Sequence, residues 1–123
     1  MEKYERLYSE LSKDPDLAEL VEVFVAEMPN RVELVRAHAD AQNWEQLGRA
    51  AHQLKGAAGS YGFHDLTRPA LRLEQAATRR EPESQILQAV DELVELCSRI
   101  ASGRAPVKSN SQAAQTSARA RKL

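Results

Sequence analysis

The chain holds a single cysteine, Cys97, so it can form neither an intramolecular disulfide nor a cysteine-based zinc site. No apolar run approaches membrane-spanning length. The first residues, Met1 to Arg6, are polar and charged rather than an apolar signal segment. These absences point to a soluble protein of a reducing compartment, most simply the cytoplasm, with no membrane partner. Aromatics are only 5% of the residues and no Val/Ile/Thr-rich alternating run occurs, so no sheet is expected. P-loop, glycine-rich nucleotide loop and acid cluster are all missing, which leaves the chain no evident nucleotide or metal site of its own.

What is present favours helix. Leu, Ala, Glu, Gln and Arg are abundant, and 123 residues suffice for one core but not two. The formal net charge of −1 hides an asymmetry. Residues 1–101 carry all 18 acids and 12 of the 17 bases, a net of −6; residues 102–123 carry the remaining five bases and no acid. An acidic body argues against nucleic acid as its partner. The expected organisation is a helical bundle over 1–101 and a disordered basic tail over 102–123, where apolar periodicity stops.

The helices can be placed by their apolar stripes. Tyr4, Leu7, Tyr8 and Leu11 suggest a short N-terminal helix within 1–13. Asp14-Pro15 is a start signal, an acidic N-cap followed by a first-turn proline. Leu17, Leu20, Val21, Phe24, Val25 and Met28 follow at helical spacing; Pro29 should then break or kink the helix before Val32, Val35 and Ala39 continue it. Asn43 is a plausible cap for a helix from Trp44 to about Ser60, seamed by Leu47, Ala51, Leu54 and Ala58. His64 or Asp65 could cap the next helix, with Leu66, Ala70, Leu73 and Ala77 as its stripe. After Glu81-Pro82-Glu83, Ser84 is a candidate cap for a last helix carrying Ile86, Val90, Leu93, Cys97 and Ile100. Short connections favour antiparallel neighbours, hence an all-α, antiparallel up-and-down four-helix bundle.

One stretch carries chemistry. His52 lies about 100° round the helix from Ala51 and so sits beside the core seam. Gly48, Lys55, Gly56 and Gly59 lie four before, and three, four and seven after it, on the same face. Each glycine inside a helix costs about 0.5–1 kcal/mol relative to alanine. Accepting that cost three times around one imidazole suggests cleared access for something large. A neutral imidazole is a good nucleophile, and Lys55 supplies a cation one turn away for an anion held on it. Nucleophile, cation and cleared surface describe a helix that accepts a phosphoryl group from a docked protein.

The run from Ala51 to Gly62, Ala-His-Gln-Leu-Lys-Gly-Ala-Ala-Gly-Ser-Tyr-Gly, resembles the signature of histidine phosphotransfer (HPt) domains, His-x-Leu-Lys-Gly followed by small residues and a later glycine. The resemblance extends over the framework from about Asp16 to Ile100; Phe63 is larger than the small residue expected there. It implies an exposed phospho-accepting histidine midway along one helix of a bundle. It also implies a relay between aspartates of response-regulator receiver domains, downstream of a hybrid sensor kinase. By resemblance His52 is the phosphoacceptor, Lys55 assists with charge, Gly56 leaves room for phosphate and partner, and Gln53 flanks the site. Mg²⁺ then belongs to the receiver, and the chain is a monomeric phosphocarrier without autokinase activity. A rival reading is a helical adaptor that binds a receiver or another helical protein and takes no phosphate. A sensor-kinase dimerisation pair is disfavoured by the lack of an ATP-binding segment and of a His-Glu box. Of the other candidates, His38 reads as a solvated surface residue, His64 as a cap or surface group, Trp44 and Tyr61 as core edge, and Phe24, Met28 and Cys97 as packing.

Overall fold

The computed structural model describes residues 6–101; the 102–123 tail and residues 1–5 lie outside it. Four helices form: α1 Pro15–Asp40, α2 Trp44–Ser60, α3 Thr67–Thr78 and α4 Glu83–Cys97. They enclose one core built largely from the stripes read above; Leu20, placed in the α1 stripe by its spacing, is instead half exposed, because it falls at the edge of the buried face. Phe24, Leu47, Leu66, Leu73, Ile86 and Leu93 are its largest fully enclosed side chains. Cys97 belongs to this core, and burial pushes its thiol up to about 12, as suits an inert packing residue.

Helix starts follow the cap chemistry in part. The Asp14 carboxylate accepts the Asp16 N–H at 2.9 Å, with Pro15 opening α1. Asn43 Oδ1 accepts the Gln46 N–H at 3.3 Å and starts α2. Neither His64 nor Asp65 caps α3: residues His64–Leu66 form a 3₁₀ turn that runs into it, held by the Thr67 hydroxyl donating to the His64 carbonyl at 2.7 Å. Ser84 caps nothing either, because α4 starts one residue earlier, after Pro82.

Three other expectations are corrected. Pro29 does not break α1, which runs unbroken across it. Phe24, Met28, Val35 and Ala39, on both sides of the proline, are buried in the core, and this packing outweighs one lost backbone bond. The short α-helix expected within 1–13 does not form among the described residues of that segment; Tyr4, part of its predicted stripe, lies outside them. Leu7–Tyr8 is a strand, β1, and Glu10–Lys13 a single 3₁₀ turn. A minimal sheet therefore exists: β1 pairs in parallel with β2, Ile100–Ala101, in the register Leu7 with Ile100 and Tyr8 with Ala101. Ile100 thus keeps its core position from a strand, not from the last helix.

The N-terminal segment is strapped to the end of α2. The Ser9 hydroxyl donates to the Tyr61 carbonyl, and the Glu10 N–H donates to that of Gly62. Gly62 has φ +84, and a Cβ there would collide with Ser9 Oγ and approach Leu11 Cγ to 3.1 Å. Gly62→Ala should therefore destabilise the bundle by about 1–3 kcal/mol, read as a lower urea midpoint with unchanged slope. A midpoint equal to wild type would mean that the strap does not constrain this turn.

Candidate functional site

His52 lies near the middle of α2, and its side chain is 64% exposed. The seam residues Leu47, Ala51, Leu54 and Ala58 face the core and fix the rotation of the helix, so His52 is presented at the edge between α2 and α3. There it meets a residue that the sequence reading did not single out. Glu74 of α3 takes His52 Nδ1 on Oε2 and Lys55 Nζ on Oε1, each at 2.9 Å. One carboxylate thus holds imidazole and ammonium together. Lys55 is only 30% exposed and is anchored rather than loose. The hydrogen bond from Lys55 holds the Glu74 carboxyl below its ordinary value against partial desolvation, and His52 adds to the effect.

The carboxylate selects a tautomer. An ionised Glu74 only accepts, so the neutral imidazole gives it Nδ1–H, and the unshared pair then lies on Nε2. Helix α2 supplies the ring, α3 supplies its orienting base, and solvent meets the nucleophilic nitrogen. A base held against one ring nitrogen, with the other left free, is the geometry that nucleophilic catalysis by an imidazole requires.

The three glycines divide. A Cβ on Gly56 would meet nothing within 4 Å, and the residue is exposed, one helical turn from His52. Gly59 has the Thr67 methyl at 3.7 Å from its ideal Cβ, an ordinary contact. Gly48 is buried, and its Cβ would come within 3.3 Å of Thr78 Oγ1 and 3.7 Å of Ala77 Cβ. So Gly48 lets α3 close on α2 and does not clear the surface for a visitor. Access near His52 rests on Gly56. Gly56→Leu should raise helix stability by about 0.5–1 kcal/mol, since glycine is the poorer helix former. If a protein docks there, the same change should slow its transfer to His52 at least about tenfold through misplacement of the reacting groups. Thermal melting and single-turnover labelling check the two signs; wild-type transfer would remove access as the reason for the glycine.

The remaining predicted residues fall as follows. Gln53 is exposed beside His52 and lines the same shallow groove. His38 is half-buried rather than solvated, and His64 is exposed. Trp44 and Tyr61 pack at the core edge, and Phe24 stacks on Tyr61 and Phe63 at centroid distances of 5.0 and 5.6 Å, which accommodates the large Phe63. Among the described residues no group of three His, Cys, Asp or Glu side chains could hold a metal ion, and no helix is long and apolar enough to cross a membrane. Glu74 was legible only as a carboxylate one residue past the Leu73 seam position.

The site is therefore an oriented, largely exposed histidine on a helical bundle. The family model of the Hpt domain matches residues 19–103, and the chain belongs to that family. Domains of this family serve histidine phosphotransfer in phosphorelays and interact with receiver domains of response regulators. No curated protein and no solved structure matches the chain.

Proposed function

We propose that the chain is a phosphorelay intermediate in which His52 Nε2 takes a phosphoryl group from one receiver aspartate and yields it to another. The observation that carries this reading is the pairing of His52 Nδ1 with Glu74 on a cleared, exposed helix face. The Nε2 lone pair forms the N–P bond as the P–O bond of the aspartyl phosphate breaks, and the carboxylate leaves with the receiver. The Nδ1 proton stays in place. The ring gains positive charge on phosphorylation, and the Glu74 carboxylate beside it offsets that charge. The return step reverses these bonds on a second aspartate. Positioning and charge neutralisation are most of what phosphoryl transfer needs, and Mg²⁺ comes with the receiver.

Lys55, tied to Glu74, acts on the site mainly through that carboxylate, while Gly56 gives the partner its approach and Gln53 flanks it. The exposed Leu20, Val23 and Leu34 of α1 offer apolar contacts to a docked receiver. Short connections support an antiparallel, up-and-down order of the helices. We further take the protein to be a cytoplasmic monomer, a phosphoprotein that carries phosphate without autokinase activity and is served by a hybrid sensor kinase. Incubation with a phosphorylated receiver tests the core of the reading. Label should move to the chain as an acid-labile, alkali-stable adduct that maps to the peptide bearing His52. Stable binding of the receiver without label would make the chain an adaptor instead.

A further inference from the structure

The groove beside His52 is lined on the α2 side by Trp44, Gly48 and Arg49 and on the α3 side by Thr78 and Arg80. Two arginines from two different elements thus border the groove that the imidazole also borders. Arg49 stands one turn before His52, on the same stretch of helix surface. Its partner is Glu45, at 3.2 Å, with both side chains mostly exposed. Exposed pairs of this kind are worth little, so the guanidinium can be redirected at small cost.

Arg80 follows α3 in a left-handed conformation, φ +54, where glycine is the favoured residue. One of its donors goes to the Ala77 carbonyl at 3.1 Å. A guanidinium has five donors in a planar fork, so the others can serve an anion. Lys55, the cation expected to serve a phosphate on His52, is committed to Glu74 on both charge and geometry. On His52 the phosphoryl oxygens carry up to two negative charges while the ring gains only one positive one, which Glu74 already faces, so other cations must meet the oxygens.

We propose that Arg49 and Arg80 form the seat of the phosphoryl group once it is on His52, closing on it from the two sides of this groove. This rests on His52 being the phosphoacceptor. Arg49 exchanges Glu45 for phosphoryl oxygens, and Arg80 reaches in from the end of α3. The seat belongs to the phosphorylated chain and not to the docking contact, so it works without any partner.

The test therefore uses a small donor. Wild type, Arg49→Gln, Arg80→Gly and a control, Arg36→Gln, whose arginine pairs with Asp91 on α4, are phosphorylated with potassium phosphoramidate. The phosphoryl titration is followed by its ³¹P shift. Loss of a neighbouring cation should raise the midpoint by about half a unit in each groove variant and by more in the double variant. Arg36→Gln should match wild type. Arg80→Gly relieves the backbone, so its thermal midpoint should be unchanged or higher, which separates lost charge from lost fold. Groove variants with wild-type ³¹P midpoints overturn the seat. So does a defect seen only with a receiver as donor, because that would make the arginines docking residues. A phosphoryl adduct that survives in His52→Gln would instead overturn the phosphoacceptor assignment.

Discussion

His52→Gln should abolish phosphoryl acceptance, leaving less than about a thousandth of the wild-type rate, because a primary amide is no nucleophile at neutral pH. The bundle should hardly notice. The side chain is 64% exposed, and glutamine can still reach toward Glu74. Stability should stay within about 0.5 kcal/mol, as for most surface exchanges. Labelling by a phosphorylated receiver, paired with a thermal melt, checks both halves. Label retained at a comparable rate would show that another nucleophile does the work.

Glu74→Ala should slow acceptance at least about a hundredfold, the upper end of what losing the carboxylate behind a metal-bound histidine costs and below the cost in a catalytic triad. Two losses combine. The imidazole can place its proton on either nitrogen, and the ring charge that develops on phosphorylation has no counter-ion. Glu74→Gln keeps a hydrogen-bond acceptor without the charge and should fall between wild type and Glu74→Ala. Lys55→Ala should cost less than either, since Lys55 acts through Glu74. The folded-state carboxyl titrates below its unfolded value. Its stabilisation is therefore present above the unfolded carboxylate value and fades as pH falls through the depressed folded one. Denaturation in the Glu74 variants should lose that acid-side dependence, which verifies the pairing independently of activity. Wild-type acceptance by Glu74→Ala would reduce the contact to a surface ion pair.

The sequence made the helices and the histidine motif readable for a simple reason: each is written along a single helix. Stripes such as Leu47, Ala51, Leu54 and Ala58 give the buried face directly, and His52 follows by rotation. What could not be read is how one helix is set against the next. Periodicity places Glu74 beside a seam but does not say that α3 turns it toward residues 19 and 22 positions away. The same ignorance made Gly48 look like part of a clearing, when its missing side chain admits α3. Pro29 failed as a stop signal because burial on both sides of it overrides a local propensity. The strand pair spans two residues on each side, too short to show any alternation.

That strand pair has a kinetic consequence. It joins Leu7 to Ile100, whereas α2 with α3, and α3 with α4, meet neighbours in sequence. Closing so long a loop is entropically unfavourable and is repaid only after the helices between have already assembled. Among the described elements the clasp should therefore form after the helices and open before them. Amide exchange at the Leu7 N–H, bonded to the Arg99 carbonyl, reports that opening. The histidine and its carboxylate sit on the sequence-local α2–α3 pair, so opening of the clasp should leave their geometry in place.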